Sequence, residues 1–108
     1  MAITAKSLAD GQLPAAKATI YTVPALTKTY VKWLSVHSTS GTAQEVIIYV
    51  KRSGSTSRVI YRALMADAET GYVIDKDMTL TLSTGDVIEG TTTTATVVDY
   101  LITGAEET

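Results

Sequence analysis

Side chains that could hold a proton, a metal or a ring are few in this chain. His37 is the single histidine, with Ser35 and Ser38 close by in sequence. Nucleophilic catalysis needs a base held within reach of the nucleophile. On a strand, adjacent residues point to opposite faces, and a Ser35/His37 pair offers no third group to orient the imidazole. The pattern argues against a hydrolase and for a structural or exposed histidine. Two carboxylate pairs stand out, Asp75 with Asp77 and Asp67 with Glu69. Calcium takes six to eight oxygens, and two carboxylates separated by Lys76 supply too few. Aspartates at such spacing bond to their own backbone in turns. No spacing selects a pair for glycoside hydrolysis. The glycines stand singly, so no phosphate-cradling loop is present. Cysteine is absent, which removes disulfide and thiolate chemistry alike. No catalytic residue, metal ligand or cofactor is therefore assigned.

The remaining chemistry is aromatic. Trp33, Tyr30 and Tyr49 can stack on sugar rings or nucleobases, or they can anchor a protein contact, where Trp and Tyr are enriched. Two-faced apolar strands favour the contact reading.

Those residues are positioned by strands. Threonine alone occurs 19 times, and with Val, Ile, Tyr and Trp it makes a composition that suits pleated, half-buried surfaces. The stretch Ile20 to Val23 reads as a strand that Pro24 stops, since proline gives no N–H to a ladder. Further strands are expected at 28–38, 44–51, 58–66, 72–75, 78–82, 86–89 and 95–103, separated by polar turns. Within 28–38, Leu34 and Val36 share a face with Lys32, while Val31, Trp33 and His37 take the other, which calls for a bulge or an outer-face contact. Within 44–51, Val46, Ile48 and Val50 oppose Ile47 and Tyr49. Only one face of that strand can meet a partner sheet, so the second needs another element or another subunit. Eight short strands in one chain of 108 residues predict an all-β fold, an antiparallel β-sandwich or jelly roll. The division expected is an extended N-terminal arm over 1–17, a sandwich domain over 18–104 and an acidic tail over 105–108. An arm with sparse apolar groups such as Leu8 and Leu13 frays or lies across a neighbour.

The net charge of −2 conceals a division. Residues 1–62 hold eight of the nine Lys and Arg against Asp10 and Glu45; residues 63–108 hold Lys76 against nine acids. Interleaved in one small domain, the halves neutralise each other, so no nucleic-acid partner is expected. Basic and acidic faces could also meet between neighbouring copies. No run approaches the ~20 apolar residues of a membrane-spanning helix, and the N-terminus lacks a signal-like apolar segment. The expectation is a protein made in a cytoplasm, with no membrane partner.

A resemblance adds to this. The order Leu13-Pro14-Ala15, then Thr19-Ile20-Tyr21-Thr22-Val23-Pro24-Ala25, then Val31-Lys32 with Leu34 and Val36, then Ser38-Thr39-Ser40-Gly41 resembles small structural proteins of tailed bacteriophages. Val46 to Val50, Ala66 to Tyr72 and Gly85 to Gly90 are also similar, so the likeness spans about residues 13–105. His37-Ser38 departs from the family's small residue and Asn. Leu26 stands where the family commonly has Gly, so the turn there is not expected to need a positive φ. The resemblance implies a non-enzymatic virion component, synthesised in a host cytoplasm. The role expected is a capsid decoration or cement subunit acting as a homo-oligomer on the major capsid protein. The alternative is a tail or baseplate accessory domain that binds glycan. Leu8, Leu13, Trp33, Ile47 and Tyr49 are the expected protein contacts.

Overall fold

The computed structural model describes residues 2–108. They form nine strands: β1 (Ile3–Gln12), β2 (Ala18–Thr22), β3 (Lys28–Ser38), β4 (Gln44–Lys51), β5 (Ser57–Met65), β6 (Thr70–Ile74), β7 (Leu80–Ser83), β8 (Val87–Thr92) and β9 (Val98–Glu107). Among the described residues there is no helix, hence none long and apolar enough to cross a membrane. The expected all-β class is the observed one.

The strands make two antiparallel sheets. One has the order β1-β9-β3-β6, with β7 also on β3; the other has the order β2-β8-β4-β5. Both orders follow from one ribbon. The chain runs out to the turn at 52–56 and returns, pairing as it comes back. Ile3 faces Glu107, Thr19 faces Glu89, Thr29 faces Leu82 and Lys51 faces Ser57. Rolling that ribbon lays β9 on β3 and β8 on β4, which gives a jelly roll. β6 and β7 act as two halves of one strand against β3.

The ribbon also explains the charge division. Among the described residues, two ion pairs join the basic first half to the acidic second half. Lys6 Nζ meets Glu106 Oε1 at 3.1 Å, and Arg52 Nη1 meets Asp86 Oδ2 at 3.0 Å.

The core lies between the sheets. Val31, Leu34 and Val36 of β3 face Val46, Ile48 and Val50 of β4, closed by Leu82, Ile88, Val98 and Ile102. Each such side chain contributes roughly 1.5–3 kcal/mol when fully buried. Val31 shares the buried face with Leu34, although their spacing is odd. The register between β3 and β9 shifts between Val31 and Trp33, opposite Gly104, so the expected bulge is present. A Cβ on Gly104 would lie 2.0 Å from the Tyr30 carbonyl oxygen, so the strands can approach only with glycine there.

Three expectations are corrected. Residues 3–12 are not a free arm but strand β1, paired along its length with β9. The arm reading failed because β1 has almost no apolar alternation: it is an edge strand held by backbone bonds. The acidic tail is likewise the end of β9. Tyr21 Oη donates to Glu106 Oε2 at 2.8 Å and Tyr30 Oη to Glu107 Oε1 at 2.7 Å. Burial pushes the Tyr21 phenol up to about 12. The hydrogen bond from Tyr21, with Lys6 behind it, holds the Glu106 carboxyl below its ordinary range despite partial burial. Finally, Leu26 does take a positive φ, +56°. The turn keeps the left-handed backbone that glycine would give it and carries leucine nonetheless.

Candidate contact surface

The five expected contact residues are not brought together. Leu13 is 1% exposed. Its N–H donates to the Val98 carbonyl at 2.8 Å, and its side chain fills the space above Gly90, where a Cβ would lie 2.7 Å from Leu13 Cδ2. Ile47 is buried too, flanked on the sheet by Arg62 and Thr91. Tyr49 is half-buried, with Lys17 Nζ 5.0 Å from its ring centroid, a cation–π arrangement. The second face of β4 is therefore covered by this chain itself. Lys17 reaches over Tyr49 from the chain before β2, which residue counting along β4 could not reveal. Leu8 is half-buried against the core. Trp33 is half-buried on an outer face, beside the exposed Tyr72, their centroids 5.3 Å apart at 68°.

Exposed apolar groups are concentrated elsewhere. Of eight large apolar side chains left in solvent, Val59, Ile60 and Leu64 lie on β5, Tyr72 on β6 and Met78 just before β7. β5 ends one sheet and β6 ends the other; Val59 and Leu64 pair with Tyr49 and Glu45 on the outer face of the first, while Tyr72 lies beside Trp33 on the outer face of the second. Gly71 makes the β5–β6 side compact: its α-carbon receives Tyr61 so closely that a Cβ would collide with the phenol oxygen. The signal for β5 was present in the sequence, since residues 58–64 are apolar at both parities. Which strand would stand at an edge was not.

The charges on this side are segregated. β5 carries Arg58 and Arg62, and the segment beyond it carries Asp67, Glu69, Asp75 and Asp77 against Lys76. Arg62 pairs with Glu45 at 3.4 Å, and both are well exposed. Among the described residues Arg58 is in no ion pair. The β4–β5 turn that presents β5 is fixed by Asp86. Its carboxylate accepts from the Ser53 N–H at 2.8 Å, the Ser83 N–H at 2.9 Å and Arg52 at 3.0 Å. Burial opposes its charge, but these donors outweigh the penalty and hold the carboxyl below its ordinary value.

Little else on the surface is arranged for catalysis. Thr70, His37 and Asp99 stand side by side on neighbouring strands. His37 Nδ1 bonds Thr70 Oγ1 at 2.6 Å. Among the described residues no hydrogen bond joins His37 to Asp99, and the row lies on open sheet. Asp75 Oδ1 accepts from the Asp77 N–H at 3.1 Å, the turn bond its spacing suggested. Among the described residues no three His, Cys, Asp or Glu side chains are grouped to hold a metal.

Comparison with known proteins gives the fold and no family. No protein-family model matches the chain, and no curated protein matches it. A solved structure of Bacillus endospore appendages, described as a novel family of disulfide-linked pili, is similar at a TM-score of 0.59 and 16% identity. The match covers 98% of this chain and 88% of that one. The VP2 subviral particle of infectious bursal disease virus matches over 97% of this chain but 32% of its own, with a TM-score of 0.37 and 14% identity. The first shares the two-sheet fold; nothing rests on the second. Neither is a tailed-phage protein.

Proposed function

We propose that this chain is a structural subunit of a virion, a decoration or cement protein of a tailed-phage head that works by contact alone. Its first partner is a second copy of itself, docked through the side bordered by β5 and β6. The observation that carries this reading is the run of Val59, Ile60 and Leu64 left exposed along the edge strand β5. Scattered surface apolar residues need no explanation, but a concentrated patch does. Charge favours a second copy as the occupant. A two-fold axis through this side brings Arg58 and Arg62 of one copy toward the acidic segment 67–77 of the other, so opposite signs face each other. The phage head comes from the sequence resemblance, and Trp33, Leu8 and the exposed part of Tyr49 remain as contacts to the shell. With no cysteine in the chain, such an assembly is held without covalent links, unlike the disulfide-linked pili. Stable contacts bury about 1,200–2,000 Å², and weaker ones sum over many copies.

Sedimentation over a concentration series tests the contact. Association is expected for the natural chain and its loss for Ile60→Glu. A chain that stays monomeric at high concentration, or an Ile60→Glu variant that associates unchanged, sinks the interface. Gold-labelled protein found along tails and not on heads would sink the decoration role.

A further inference from the structure

The outer face of the β1-β9-β3-β6 sheet holds a hollow around Trp33, a residue the contact reading assigns to the shell and not to a small ligand. It measures about 230 Å³ and is lined by Trp33, Tyr72, Asp75 and Lys76. Trp33 and Tyr72 meet edge to face, so the two rings make a corner of apolar surface. Asp75 and Lys76 stand at its rim, where β6 gives way to the turn before β7. We propose that this hollow binds one ring of a neutral saccharide.

The argument is by chemistry and size. Drug-sized ligands occupy roughly 300–1,000 Å³, so this space suits a single ring or one unit of a chain. A quaternary ammonium group seeks an aromatic cage without a competing cation, and Lys76 stands at the opening. An anion would meet the Asp75 carboxylate. A purely apolar ring would leave both charged groups without a use. A pyranose satisfies all four residues: its C–H face lies on an aromatic ring, and its hydroxyls donate to Asp75 and accept from Lys76. One Asp75 oxygen is engaged in the turn bond to Asp77, and the other is available to a ligand. The lining carries one charge of each sign, so it favours a ligand with no net charge.

Trp33 is the only tryptophan, so emission excited selectively in its indole, apart from the six tyrosines, reports on this hollow. The titration uses Ile60→Glu protein, which keeps any change in self-association out of the signal and separates this proposal from the previous one. Cellohexaose, maltohexaose and chitohexaose are the neutral probes, with choline and a sulfated heparin hexasaccharide as charged controls. A saturable change in Trp33 emission is expected with at least one neutral probe at millimolar concentration. Tyr72→Ala should weaken that binding about tenfold, and Asp75→Asn, which preserves the turn bond, should weaken it severalfold. Both positions are at the surface, and unchanged circular dichroism confirms that the variants fold. No saturable response to any neutral probe overturns the proposal. So does a response untouched by both substitutions, or a stronger one to either charged control.

Discussion

β1 and β5 are the two long outer strands of this molecule, ten and nine residues, and they are finished differently. An outer strand offers unpaired backbone groups to any passing chain, and proteins blunt such edges with charges, bulges and small residues. β1 has all three: Lys6 and Asp10, a register shift between Ser7 and Ala9, and alanines at 5 and 9. It is also tied at its start, where Lys6 reaches Glu106 and Ala2 and Thr108 exchange backbone hydrogen bonds at 3.1 and 2.9 Å. β5 also has a register shift, between Ile48 and Tyr49 of its partner, and two arginines. Yet it leaves Val59, Ile60 and Leu64 in solvent, Leu64 at 67% exposure. One edge is charged and bulged, with Ile3 its one large apolar group left in solvent, and the other carries three. The contrast separates two kinds of substitution: those on the β1 side should change stability, and those on the β5 side should change assembly.

The largest effect is expected at Gly104. A Cβ there would meet the Tyr30 carbonyl at 2.0 Å, and backbone cannot swing aside as a flexible side chain can. Gly104→Ala should cost about 2–3 kcal/mol, lowering the midpoint of a urea melt and loosening β9 from both β1 and β3. A melt unchanged within error would mean that the bulge opposite Gly104 relaxes freely, and β1 would then rest on something other than its ladder.

Next comes Glu106, which fastens the β1–β9 end through Tyr21 and Lys6. Its folded pKa lies below the ordinary carboxylate value. Its stabilising contribution is thus complete above that ordinary value and is lost as pH falls through the folded one. Glu106→Gln should cost about 1–2 kcal/mol at neutral pH. The gap from the natural chain should narrow as pH falls below the ordinary carboxylate value. Urea melts of both proteins at neutral and acidic pH check this; a gap independent of pH would show that the carboxylate's charge plays no part.

Much of the fold was legible because strand periodicity and turn chemistry are local. Eight strands could be placed from residue types, and the mixed faces of 28–38 called for a bulge or an outer contact there, although the bulge's position beside Val31 came only with the pairing to β9. β1 could not, since an edge strand with small and polar side chains looks like a loose arm until its partner is known. Leu13 was misplaced for the same reason: its burial depends on Gly90 and Ile48, distant in sequence and brought beneath it by the rolled ribbon. Ile47 and Tyr49 were read correctly as facing away from the core, but not as covered. The cover comes from Lys17 and from neighbours on adjacent strands, and no local pattern encodes that. The Trp33 hollow was half legible: the tryptophan was noted, while Tyr72 reaches it only through the pairing of β6 with β3.

The smallest effects make the sharpest comparison, because they set one exposed leucine against another. Leu26 is 91% exposed in the turn between β2 and β3, away from the β5 side, with φ +56°. Left-handed backbone costs an L-residue roughly 1–2 kcal/mol, a cost that glycine escapes. Glycine's greater freedom in the unfolded chain takes back part of that gain. Leu26→Gly should therefore stabilise the fold by about 0.5–1 kcal/mol and leave sedimentation unchanged. Leu64→Glu should do the reverse. On an exposed edge it should move stability by no more than about 0.5 kcal/mol, while the added carboxylate in an apolar contact shifts the protein toward monomer. If Leu26→Gly disperses the assembly as well, exposure alone drives association and the β5 side holds no privileged contact. If Leu64→Glu lowers stability and not assembly, that leucine serves the fold of its own chain, and the distinction between the two edges fails.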